Sequence, residues 1–172
     1  MKRFTLQPAG SPSTLVAPTP GPTCYEKAVE LLARRDHFRA ELRAKLVARR
    51  YPDGEIEATL DRLEARGYLD DRAAARKLAL ARIEAEPLGR RRLAAELARR
   101  GVAPEVAAEV IEELLPPDDR GTAREAARQW LERRGGTGHP AALARYLDRR
   151  GFSSPAIWAV LEEVDPGGDA EG

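Results

Sequence analysis

Cysteine is almost absent from this chain: Cys24 is the only one among 172 residues. No intramolecular disulfide can form, and a reducing, cytoplasmic setting is expected. His37 and His139 are the only histidines, and no Cys or His cluster has the spacing of a zinc site. There is no G-x-x-x-x-G-K-[ST] loop, no G-x-G-x-x-G turn and no serine in a nucleophile elbow. No apolar run approaches the roughly 20 residues that span a bilayer, and no stretch alternates with period two for long enough to make a strand. These absences point to an all-α protein that is not an enzyme and uses no cofactor, metal or membrane. His37 and His139 then read as turn or surface residues, Cys24 as incidental, and Trp130 and Trp158 as core rather than base-stacking residues.

An excess of one charge is also missing. Lys plus Arg is 29 against 28 for Asp plus Glu, a formal net charge of +1. Total charge does not mark a nucleic-acid binder, so the placement of charge has to carry that argument. All the basic residues but Lys2, Lys27, Lys45 and Lys77 are arginine. Arginine suits two-pronged grip on phosphate or carboxylate, although biased codon usage accounts for the same composition.

What is present is a repeat of about fifty residues. Leu42, Leu46, Tyr51, Ile56, Leu60 and Leu63 align with Leu93, Leu97, Val102, Ala107, Ile111 and Leu114. They align again with Leu143, Leu147, Phe152, Ile157, Leu161 and Val164. Steps of three and four are helical, and the step from Leu46 to Tyr51 carries the chain into a turn. An upstream helix precedes each pair: about Tyr25 to Arg34, Arg72 to Ala85, and Ala123 to Arg134. The expected organisation is a Pro-rich disordered extension over 1–23, three-helix units over 24–70, 71–118 and 119–165, and an acidic tail over 166–172. The extension lacks the continuous apolar core of a secretory signal. Units this small bury thin cores and should stack into an elongated, curved array, each lending surface to the next.

The breaks have local causes. Pro52, Pro104 and Pro155 stand where a third helix should start. Asp36, Asp71 and Ser154 are candidate N-caps, and Thr122 with Glu125 has capping-box spacing. Gly101 and Gly151 stand where a left-handed helix end is expected. Pro116-Pro117 separates the last two units, and Gly135-Gly136 opens a turn in the third.

Charge follows the repeat. The middle helices are basic, with Arg39, Arg43, Arg49 and Arg50, then Arg90, Arg91, Arg92, Arg99 and Arg100, then Arg145, Arg149 and Arg150; the helices after them are acidic. Two readings of the basic residues remain open. They meet phosphate or an acidic protein, or they answer the acidic helices and the helix dipole. The dipole suits the pairs at 49–50, 99–100 and 149–150, which close helices. It has the wrong sign for Arg90, Arg91 and Arg92, which open one, and there an external anion is the better expectation.

Two strings then carry a resemblance. Leu32-Ala-Arg-Arg-Asp-His-Phe-Arg-Ala-Glu-Leu-Arg-Ala-Lys-Leu46 leads to Gly67-Tyr68-Leu69-Asp70-Asp71, and Leu88-Gly89-Arg-Arg-Arg-Leu-Ala-Ala-Glu-Leu-Ala-Arg-Arg-Gly-Val102 follows. In this order they resemble the RecX family of RecA regulators, over about Tyr25 to Val164. The resemblance implies tandem three-helix repeats and a monomer lying in the groove of the RecA–single-stranded-DNA filament, usually restraining it. The implied partners are the RecA filament, single-stranded DNA and, as a further candidate, double-stranded DNA. It also implies that Gly67 to Asp71 form a junction between units and that Gly89 to Arg92 touch filament or DNA. Phe38 departs from the family's usual small polar residue, which puts the capping near Asp36 in question. The competing expectations are a helical DNA-binding module acting without RecA, and a helical scaffold for another protein.

Overall fold

The computed structural model describes residues 21–136 and 138–164. Nearly all of the Pro-rich extension, and the acidic tail, therefore lie outside the described residues. Nine α-helices and no strand occur among those described. The first unit holds α1 (Cys24–Arg34), α2 (Arg39–Val47) and α3 (Asp53–Ala65). The second holds α4 (Asp71–Ala85), α5 (Arg90–Arg99) and α6 (Pro104–Leu114), and the third α7 (Arg120–Glu132), α8 (Pro140–Arg149) and α9 (Ser154–Val164).

Each unit closes on its own apolar core. Leu42 and Leu46 of α2, Leu93 and Leu97 of α5, and Leu143 and Leu147 of α8 are all sealed from solvent, and each pair meets the third helix of its own unit. Every helix pair with extensive packing lies within one unit, so the units join end to end through small contacts and the array is elongated. One core residue crosses a boundary: Phe38, from the first unit, is buried in the core of the second.

The left-handed helix ends are where the sequence puts glycine. Gly101 and Gly151 have φ of +78° and +81°, and Gly135-Gly136 continues the pattern at +68° and +82°. The equivalent position in the first unit is Arg50, with φ +64°, a conformation that costs an L-residue its Cβ clearance.

Several caps differ from expectation. Asp36 caps nothing; its carboxylate pairs with Lys77. Asp70, not Asp71, caps α4 by accepting from Ala73 N–H. Ser153, not Ser154, offers its hydroxyl to Ala156 N–H at the start of α9. Thr122 lies inside α7, whose N-cap position is Asp119, so the Thr122–Glu125 spacing makes no box. The real capping box is Thr23–Glu26 at the start of α1. In α9 the sealed residues are Ala156 and Val160, while Ile157 and Leu161 are partly buried and Val164 is exposed. The stripe is therefore rotated from the one the sequence suggests.

Candidate functional site

Most of the arginines are answered inside the chain. Arg39 of α2 reaches Glu57, Asp61 and Glu64 of α3 at 2.8 Å each, and Arg43 reaches Glu57 at 2.7 Å and Asp53 at 3.1 Å. Arg72 and Arg76 of α4 take Glu113 of α6 at 2.9 and 2.6 Å, and Arg124 of α7 takes Glu163 of α9 at 2.6 Å. These carboxylates sit in the fields of their guanidiniums: hydrogen bonds from Arg76 and Arg124 hold Glu113 and Glu163 below the usual range. Most of the acids on the third helices are thus neutralised from within, mostly at exposed positions where each pair contributes little to stability.

Arg90 and Arg91, expected to meet an external anion at the start of α5, also have partners inside the chain. Arg90 donates to the carbonyl of Leu115 at 2.7 Å and pairs with Glu112. Arg91 spans the boundary to the third unit, donating to Asp148 at 2.7 Å and to the carbonyl of Phe152 at 2.8 Å. The orphan N–H groups at this helix start are met as well. Gly89 N–H donates to the carbonyl of Arg150 at 2.9 Å and Arg91 N–H to that of Gly151 at 3.3 Å. The negative end of α8 therefore docks on the positive end of α5, the favourable sense for two helix dipoles. Only glycine fits the joint: a Cβ on Gly89 would lie 2.1 Å from the Gly151 oxygen, and one on Gly151 would lie 2.2 Å from Arg92 N.

The same contact recurs one unit earlier. A Cβ on Gly101, at the end of α5, would lie 2.5 Å from the Ala40 Cβ at the start of α2. Arg100 reaches Glu41 at 3.2 Å, as Arg150 reaches Glu86 at 2.6 Å in an ion pair. Glu41 also holds buried His37 at 3.3 Å and Arg35 at 3.2 Å. His37 lies in the α1–α2 connection, as expected, but is buried rather than at the surface. Burial, assisted by nearby Arg35, pushes its pKa down against the pull of Glu41.

The junction motif divides its roles. Gly67 ends α3 with φ +69°, Leu69 fills the first core, Asp70 caps α4 and Asp71 accepts from Arg39 N–H in the first unit. Tyr68 stands exposed beside them. Cys24 is sealed in the first core, and burial pushes its thiol up, away from the reactive thiolate.

Among the described residues, the basic side chains left without a hydrogen bond, ion pair or ring partner are Lys45, Arg50, Arg92, Arg99, Arg145 and Arg149. All lie on the middle helices or the turn that closes α2. Arg49 folds back on the carbonyl of Lys45 at 2.7 Å, the dipole-answering role. Arg92 and Arg99 are two turns apart on α5, and Arg145 and Arg149 one turn apart on α8, at positions that the repeat makes equivalent in facing. All four are exposed, and because α8 docks head to tail on α5 they stand on the middle helices of two adjoining units. Sequence alone did not separate them from Arg90 and Arg91, because the difference lies in which acid each meets across space.

Nine helices in three like units, each with a core of its own, define a tandem three-helix-repeat protein. Family models described as the RecX first and second three-helix domains match residues 24–63 and 70–111. The chain is 46% identical over 143 residues to Regulatory protein RecX of Thermus thermophilus, spanning 81% of this chain and 93% of that one. It is 36% identical to Regulatory protein RecX of Trichlorobacter lovleyi, spanning 81% and 94%. The fold is similar to the crystal structure of RecX from Lactobacillus salivarius, with TM-score 0.72 at 16% identity over 83% of this chain and 95% of that one. The chain belongs to the RecX family of regulatory proteins.

Proposed function

We propose that this chain is a non-enzymatic, monomeric, cytoplasmic regulator of RecA. It binds along the RecA–single-stranded-DNA filament and restrains its ATP hydrolysis, strand exchange and coprotease activity in recombination, DNA repair and the SOS response. The observation that carries this reading is that Arg92, Arg99, Arg145 and Arg149 are exposed and have no partner inside the chain. These are cations that the chain leaves unpartnered on adjoining units while it neutralises most of its others. A filament offers phosphate and carboxylate at repeated intervals, and an array of repeated units can meet several together. Bridging neighbouring filament subunits would restrain their turnover without any chemistry by the regulator.

The test is RecA ATP hydrolysis on single-stranded DNA with substoichiometric amounts of this protein. A dose-dependent fall is expected; unchanged turnover at excess overturns the reading. DNA binding without RecA is the second reading, favoured by the same unpartnered arginines. It predicts affinity for naked DNA that falls steeply with salt and no dependence of that affinity on RecA.

A further inference from the structure

Trp158 is the departure from expectation that no part of the fold absorbs. The other tryptophan, Trp130, is buried against Leu131 and Gly138 and stacks near Tyr146. Trp158 lies on α9 with 66% of its surface exposed, more than any other large apolar side chain among the described residues. Its indole edges a groove of about 330 Å³ lined by Ala144, Arg145, Asp148, Ile157 and Leu161.

The surroundings select a ligand. Arg145 lines the groove beside Trp158 without a partner, and Arg149 follows one turn along α8, also free. Asp148, the one acid in the groove, is neutralised by Arg91. Glu162, one turn beyond Trp158 on α9, is exposed, so an anion is favoured on the Arg145 side and disfavoured on the other. The equivalent groove of the second unit has Ala108 in place of Trp158, with Ala94, Ala98, Ala107 and Ile111 around it. The aromatic is thus particular to the third unit. A broad aromatic face flanked on one side by unpaired guanidiniums matches a nucleotide, whose base stacks while its phosphates are held. A base inside a duplex has its faces covered, so the match is to a single strand.

We infer that Trp158 is a base-stacking platform for single-stranded nucleic acid, with Arg145 and Arg149 holding the adjacent phosphates. This deepens the proposed function and rests on it for the place of the strand in a filament. The binding itself stands apart from RecA.

The experiment is a titration of the full chain with oligothymidine, followed by tryptophan emission and by anisotropy of the labelled oligonucleotide. Emission should quench on binding, and the quench should vanish in Trp158→Phe, which retains only buried Trp130. Trp158→Ala should weaken single-strand affinity about tenfold, the size expected for one stacked base, and leave affinity for a duplex of equal length unchanged. Glu162→Gln should tighten single-strand binding. The inference is overturned if wild-type emission does not move, if Trp158→Ala binds oligothymidine like wild type, or if only RecA protein without DNA quenches Trp158. RecA ATP hydrolysis is read in parallel. Regulation of RecA by a chain whose Trp158 ignores oligothymidine removes this inference and spares the proposed function. Stacking by a chain without effect on RecA does the reverse.

Discussion

The carboxylate of Asp71, first residue of α4, accepts the backbone N–H of Arg39, first residue of α2, at 2.7 Å. The N-cap position of α2 is Phe38, which makes no side-chain cap; its ring is instead buried in the core of the second unit. One unit thus lends its neighbour an apolar ring, and the neighbour returns the missing helix cap. Asp70 serves its own helix and Asp71 the helix across the junction, which explains two adjacent aspartates in the motif.

Asp71→Ala should therefore destabilise the chain by about 1 kcal/mol, the usual cost of removing an N-cap, although Asp71 does not cap its own helix. Asp71→Asn keeps an acceptor for Arg39 N–H and removes a carboxylate whose pKa burial pushes up, so it should cost less. Urea denaturation of the two variants checks this; equal destabilisation would mean that the charge, not the acceptor, matters.

Arg50 occupies, at φ +64°, the position that Gly101 and Gly151 fill in the other units. Arg50→Gly should raise stability by about 1 kcal/mol, since the left-handed conformation costs a residue with a Cβ roughly that much. The readout is the urea midpoint, and the side chain has no internal partner whose removal would offset the gain.

The head-to-tail joint of α8 on α5 depends on Gly89 and Gly151. Gly89→Ala puts a methyl group 2.1 Å from a backbone oxygen, and backbone cannot swing aside as a side chain would. The third unit should undock while its own core, around Leu143, Leu147 and Phe152, stays closed. Hydrogen exchange should then speed up at Gly89 and Arg91 N–H and leave the amides within α8 protected. Faster exchange throughout the third unit would mean that it does not hold its fold without the joint.

The fold was legible because apolar spacing alone fixes a helix face: every leucine aligned across the middle helices proved to be sealed in a core. The turns were legible through Gly101, Gly151, Pro104 and Gly135-Gly136. The caps were less so, because Asp, Ser and Thr near a helix start compete for the role: Ser153 won over Ser154 and Asp70 over Asp71. The site was only half legible. Adjacent Arg90, Arg91 and Arg92 look alike in sequence, yet Glu112, Asp148 and the Phe152 carbonyl claim the first two from segments distant along the chain. Trp158 was not legible, because its hydrophobicity suggests burial, whereas the sealed pair Ala156 and Val160 fixes a face on which a residue at 158 cannot lie.

His37 makes stability depend on pH. Its folded-state pKa lies below the ordinary value of 6.5, so the folded state disfavours the protonated ring. Its contribution is present above about pH 6.5 and is lost as pH falls through the lower folded value. The urea midpoint of the wild type should decline across that range, ahead of the carboxylate titrations. In His37→Gln this first decline should disappear, leaving the later loss as Glu41, held low by Arg35, His37 and Arg100 against its burial, takes up a proton. A variant that declines like the wild type would assign the effect elsewhere.

Neighbouring arginines on α5 should separate structure from function. Arg91→Ala removes a side chain that donates to Asp148 and to the Phe152 carbonyl, so it should loosen the joint of α8 on α5 and cost on the order of 1 kcal/mol. Arg92→Ala removes a side chain with no internal partner and should leave stability within about 0.5 kcal/mol of wild type. Combining Arg92→Ala with Arg99→Ala, Arg145→Ala and Arg149→Ala should still leave the fold intact while abolishing the effect on RecA ATP hydrolysis. If these arginines meet phosphate, the variant should also flatten the salt dependence of single-strand binding, by close to one unit of slope for each phosphate no longer neutralised. A folded quadruple variant that regulates RecA like the wild type would remove these arginines from the mechanism and direct attention to the exposed Tyr68 side of the array.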